Sequence, residues 1–178
     1  MSYVVIGGRL LVAGIFLLSL LSKVRGRAAY CRFVTATADL AGVRDRVARP
    51  LAAATVAFEA AIVVLVVLPI TPVVGFTLAV TLLTAFTVGL ARASRRSDPV
   101  RCHCFGTSST PVSIRQVARN VVLIAVVALL AALTVGAPHE PVGLGGVAIA
   151  ALVALPSALT VAHLDDLIDV LRPSIRKL

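Results

Sequence analysis

The chain has 178 residues, of which 59% are hydrophobic and 14% charged, against roughly 45–50% and 25% in ordinary soluble domains. Its net charge of +9 would raise the question of nucleic acid in a soluble protein. Here the basic residues flank long apolar runs, so composition excludes a soluble domain and points away from nucleic acid.

A membrane-spanning helix needs about 20 mostly apolar residues. Five stretches qualify in chain order: 3–21, 51–68, 73–91, 117–137 and 142–162. They predict an all-α polytopic helical bundle, a single domain over 1–178. The first stretch is preceded by Met-Ser-Tyr and followed by Lys23, Arg25 and Arg27. A secretory signal carries its basic residues before the apolar run, so this segment reads as an uncleaved helix with its N-terminus outside.

The connection 22–50 holds Lys23, Arg25, Arg27, Arg32, Arg44, Arg46 and Arg49. Within it Phe33, Thr37, Leu40, Val43 or Arg44, and Val47 recur at helical spacing, which predicts a short helix lying in the membrane interface. The second and third spans form a hairpin closed by "PITP" (69–72). The connection 92–116 is again basic. The fourth and fifth spans form a second hairpin closed by "PHEP" (138–141), with a kink expected at Pro156. The tail 163–178 continues as an amphipathic helix along the inner surface, with Asp165, Asp166 and Asp169 on its polar face. Five spans put both long connections and the tail on one side, with 16 of the 17 basic residues. Positive charge near span ends stays cytoplasmic, so this side is assigned to the cytoplasm of a bacterial inner membrane, facing anionic lipid.

Chemistry concentrates in "VRCHCFG" (100–106). The three cysteines are Cys31, Cys102 and Cys104. All lie in the two basic connections, where a reducing compartment disfavours a purely structural disulfide. A Cys-x-Cys pair closes only through a small strained ring, and strain makes the bond labile. Arg95, Arg96, Arg101 and His103 favour thiolate over thiol. Gly106 gives the turn after Phe105 backbone freedom. The pattern is that of a thiol–disulfide exchange site at Cys102 and Cys104. A metal site built from Cys31, Cys102, His103 and Cys104 ranks second, since structural zinc draws on a C-x₂₋₄-C knuckle. No metal or other cofactor is expected.

Two charges stand inside the spans. Glu59, near the middle of the second, needs a partner or a proton at that depth. It reads either as functional or as a lock between helices. Thr77, Thr81, Thr84 and Thr87 form a hydroxyl stripe on the third span that offers bonds across helices. Arg9 either snorkels to the outer surface or pairs with Glu59. Lys23 is an interfacial anchor or part of the cysteine site, and Arg119-Asn120, opening the fourth span, reads first as an anchor.

In this order "LLSLLSKVRG" (17–26), "PLAAATVAFEAAIVVLVV" (50–67), "CHCFG" (102–106) and "VARNVVLIAVVAL" (117–129) resemble the MauE family, the methylamine-utilisation membrane proteins grouped with DoxX-like redox-associated membrane proteins. The resemblance covers roughly residues 3 to 135. It implies a four-helix DoxX-like core plus one helix, and a role in maturing an exported protein beside a thioredoxin-fold partner. By motif match it carries Cys102, Cys104, Phe105 and Gly106, then Lys23, Glu59, Arg119 and Asn120. His103 stands where the family commonly has Gly, and Cys31 has no counterpart. Two other readings stay open, a non-catalytic assembly scaffold and a small-molecule carrier using Glu59 and the threonine stripe. Because the charges place the cysteines inward, export-side chemistry would need a further partner or a mobile loop.

Overall fold

A computed structural model describes residues 2–94 and 114–135. Five α-helices make up this part: α1 (Ser2–Val24), α2 (Arg27–Ala41), α3 (Asp45–Val67), α4 (Pro72–Ala93) and α5 (Ile114–Val135). Four of them, all but α2, are long and apolar enough to cross a membrane. They correspond to the first four predicted spans. The predicted fifth span, 142–162, and the tail 163–178 lie outside the described residues.

Long apolar runs form helices in hydrocarbon because every backbone N–H and C=O must then be satisfied within the segment. What distinguishes this bundle is how its helix ends are closed. α3 and α4 make the expected hairpin. Pro72 opens α4, where its missing N–H is harmless. The Thr71 hydroxyl donates back to the Leu65 carbonyl at 3.0 Å.

The last carbonyls of α3 are taken by a side chain from another helix. Arg9 of α1 donates through Nε to the Val66 carbonyl at 2.9 Å, and through Nη2 to Val67 and Leu68 at 2.8 and 2.9 Å. A helix C-terminus leaves carbonyls without intrahelical donors and carries partial negative charge, so a guanidinium fork suits it. Arg9 therefore carries its head to the end of the span, as snorkelling would, where it caps α3, and it does not pair with Glu59.

A helix is present where the interfacial helix is predicted, with different bounds. α2 stops at Gly42, whose φ of 66° lies in the left-handed region that Gly enters without a Cβ penalty. The Gly42 and Val43 N–H groups both reach the Ala38 carbonyl. Val47, expected on this helix, belongs instead to α3, which starts at Asp45. Pro50 is inside α3 rather than at the end of a loop. It falls within the first two turns, where the ring's clash and missing donor affect few intrahelical bonds, and Asp45 favours the start electrostatically.

The main core joins α1, α3, α4 and α5 through residues that include Val12, Phe16, Ile62, Val66, Phe76, Leu83, Val127 and Leu130. A second cluster seats α2 on the first half of α3: Phe33, Val34 and Ala38 against Ala48 and Ala52. Most other apolar side chains on the spans are exposed, Val64, Val122 and Leu129 among them, as a lipid-facing surface requires.

Two glycines mark close approaches. Gly8 lies against Leu130, joining α1 to α5. At Gly75 a Cβ would come within 2.6 Å of Val66 Cγ2 and 2.8 Å of the Val66 backbone nitrogen. Backbone cannot swing aside, so Gly75→Ala should force the α3–α4 hairpin apart. The expected loss is ~1–3 kcal/mol of unfolding free energy, read as a lower Tm in detergent. Gly7→Ala is the control, since nothing lies within 4 Å of its Cβ position. Equal stability of the two variants would show that the hairpin can open freely.

The antiparallel pairings bring the C-terminal ends of α1 and α4 and the N-terminal ends of α3 and α5 to one end of the bundle. Among the described residues that end carries Lys23, Arg25, Arg27, Arg32, Arg44, Arg46, Arg49, Arg92, Arg115 and Arg119, whereas Arg9 alone is at the other.

A buried Lys23–Glu59 pair as candidate functional site

Lys23 is in the last turn of α1, where an exposed ammonium would be expected. Its side chain is instead 2% exposed and that of Glu59 is 3% exposed. Nζ lies 2.7 Å from Glu59 Oε1, 2.6 Å from Ser19 Oγ and 3.4 Å from the Ser19 carbonyl. The ammonium also sits 4.9 Å from the centroid of the Phe33 ring. One side chain thus touches α1, α2 and α3 together.

Helix geometry explains the arrangement. Residues four apart share a face, so Ser19 and Lys23 point the same way, and the Lys stem folds back along the helix. Glu59 meets them because α3 runs antiparallel to α1, with Arg9 fixing the register at the far end. Ser19 Oγ both accepts from Lys23 and donates to Glu59 Oε1 at 3.0 Å. Oε1 therefore receives two donors, one of them charged. Oε2 is buried and has no hydrogen-bond partner, so the carboxylate retains the capacity to accept one more donor.

Further buried polar groups come from α5. Asn120 and Gln116 are 5% and 8% exposed, and Gln116 Oε1 has no hydrogen-bond partner. From the Gly8–Leu130 contact, Ser19 and Asn120 lie about 15–17 Å further along their antiparallel helices at 1.5 Å per residue. That places Asn120 at the depth of the ion pair. It is a buried residue of the bundle and not the lipid-facing anchor that composition suggests, while Arg119 beside it is half-buried.

The threonine stripe makes no bonds across helices. Thr77, Thr81, Thr84 and Thr87 each donate to the carbonyl four residues earlier on α4, at 2.7–2.9 Å. None of these bonds crosses to another helix, contrary to the sequence expectation. A hydroxyl in lipid satisfies itself locally when no partner helix presents an acceptor.

Of the predicted site residues, then, Lys23 and Glu59 are brought together and Asn120 is at their level. Cys31 is exposed on α2. Cys102, Cys104, Arg101, His103, Phe105 and Gly106 lie outside the described residues, so neither exchange nor the runner-up metal set is visible in the geometry. Among the described residues no three His, Cys, Asp or Glu side chains are grouped as metal ligands would be. Ser19 was missed from sequence. Its signal was a polar residue four positions before a lysine in the apolar run "LLSLLSK".

The family model described as "Methylamine utilisation protein MauE" matches residues 1–134. The chain belongs to the MauE family. The match covers α1 to α4 and all of α5 but its last residue, so the Lys23–Glu59 pair and the "CHCFG" segment both fall inside the MauE-family region. Comparison with curated proteins and comparison with solved structures returned no match.

Proposed function

We propose that this membrane protein exchanges thiols and disulfides through Cys102 and Cys104, with a thioredoxin-fold partner, in support of the maturation of an exported protein. The observation that carries the reading is the Cys-x-Cys pair itself, set between arginines in the connection from α4 to α5. α4 ends and α5 begins at the basic end of the bundle, beside the buried ion pair. The family description, in which the printed process is methylamine utilisation, is consistent with a role beside an exported enzyme.

In the exchange, one thiolate of the pair attacks a partner disulfide and releases a partner thiolate, giving a mixed disulfide. The other cysteine then attacks its neighbour's sulfur. The Cys102–Cys104 disulfide forms, the partner leaves as a dithiol, and two electrons and two protons have moved. The reverse sequence uses the same intermediate. Arg101 and His103 favour the thiolate, and Phe105-Gly106 shapes the turn. Lys23 and Glu59 hold α1, α2 and α3 together.

The test is labelling with a membrane-impermeant maleimide in sealed vesicles of both orientations, with and without reductant. Cys102 and Cys104 should label only after reduction and only from the cytoplasmic side, whereas Cys31 should label without it. Full labelling of all three thiols before reduction, at every applied potential, would remove the exchange reading.

A further inference from the structure

A cavity of about 350 Å³ opens on the side of the bundle between α2, α3 and α4. Its walls are apolar, from Leu40, Leu51, Ala54, Phe58, Leu82 and Phe86 among others. Three hydroxyls reach it, from Thr37, Thr55 and Thr81. Each already donates to a carbonyl of its own helix, at 2.8, 2.9 and 2.9 Å. No hydroxyl hydrogen is therefore left for a polar ring or headgroup, and the cavity suits hydrocarbon. Along α3 its lining residues span Leu51 to Phe58, about 10 Å of helix, within the ~15 Å of one leaflet's hydrocarbon.

The basic end of this groove is not apolar. On α4 the lining residues Leu82, Ala85 and Gly89 are followed on the same face, one turn on, by exposed Arg92. On α3 the face of Leu51 and Phe58 leads back to exposed Arg44, next to the end of α2. We infer that this groove is a binding site for an anionic phospholipid, with one acyl chain between α3 and α4 and the phosphate at Arg92 and Arg44. The chain meets walls with no unsatisfied donor, and the phosphate meets two guanidinium groups at the depth where the hydrocarbon ends. Arginine favours phosphate because its planar fork can donate two bonds at once. The site is independent of the cysteine chemistry and stands or falls without it.

The experiment is native mass spectrometry of the full chain, released from nanodiscs of equal dioleoylphosphatidylglycerol and dioleoylphosphatidylcholine. One phosphatidylglycerol should remain on each chain after mild detergent exchange. Arg92→Gln and Arg44→Gln should each lower its retention roughly five-fold, as expected for one arginine near an anionic surface. Ala54→Phe, at an exposed position lining the groove, should abolish retention by filling the space. Arg49→Gln, on the opposite face of α3, should leave it unchanged, and thermal unfolding should show all four variants folded. Equal retention of both lipids, or sensitivity to Ala54→Phe without sensitivity to the arginines, would overturn the anionic site. Sensitivity to the arginines alone would overturn the groove, and so would the absence of any retained lipid.

Discussion

Lys23→Met is expected to destabilise the bundle by ~3–5 kcal/mol, the scale seen when one partner of a buried ion pair is removed. Met keeps the apolar stem but leaves the Glu59 carboxylate buried with Ser19 as its remaining donor. Phe33 also loses the cation above its ring, an interaction worth ~2 kcal/mol or more when desolvated, so α2 should loosen from the bundle together with α1. The informative comparison is the double variant Lys23→Met with Glu59→Leu. Replacing both charges by apolar groups of similar size is often neutral or stabilising, so the double variant should recover most of the loss. Ser19→Ala should cost less, ~1 kcal/mol for one hydrogen bond. Thermal or chemical unfolding in detergent of the wild-type chain, Lys23→Met, Glu59→Leu and the double variant yields the coupling by a double-mutant cycle, with Ser19→Ala measured beside them. Additive losses with no recovery would show that Lys23 and Glu59 do not act as a pair. Unchanged stability of Lys23→Met would show that the pair does not hold the helices.

Loss of exchange to background is the expected outcome for both Cys102→Ser and Cys104→Ser, for different reasons. Without the attacking cysteine no mixed disulfide forms. Without the resolving cysteine the mixed disulfide forms and persists, because serine cannot displace the partner's sulfur. One variant should therefore be silent and the other should accumulate a reductant-sensitive adduct on a non-reducing gel, which also assigns the order of the two thiols. Cys31→Ser should leave exchange intact, since the Cys-x-Cys pair supplies both the attacking and the resolving thiol. If both Cys102→Ser and Cys104→Ser still support maturation of the partner, the chain acts as an assembly scaffold and the thiols are incidental. His103→Gly separates rate from mechanism: it removes one group that favours the thiolate, so exchange should slow without losing the adduct.

The two sets of variants probe different parts of the chain and can be told apart. The ion-pair variants change stability and should change exchange only as far as the folded population falls. The cysteine variants should leave the unfolding midpoint in place. A Lys23→Met chain that is fully folded yet inactive would move the ion pair from a structural role to a part in the chemistry.

The sequence alone determined the number and order of the four described spans, the hairpin at "PITP", an interfacial helix after the first span and the concentration of positive charge at one end. These follow from local quantities: the length of an apolar run against the membrane thickness, the penalty for Pro inside a helix, and side-chain charge. It also singled out Lys23 and Glu59, because a charge in or beside an apolar run is anomalous on composition alone. It could not pair them. Whether residues 36 positions apart meet depends on the rotation and depth of two separate helices, and no local pattern encodes either. Only the tertiary structure decided that Arg9 closes the end of α3, that the α4 threonines bond their own carbonyls, and that Ser19 completes the site. The shift of Val47 and Pro50 from loop to α3 has a local origin instead: helical spacing continues across Gly42, but the left-handed glycine cap ends α2 there.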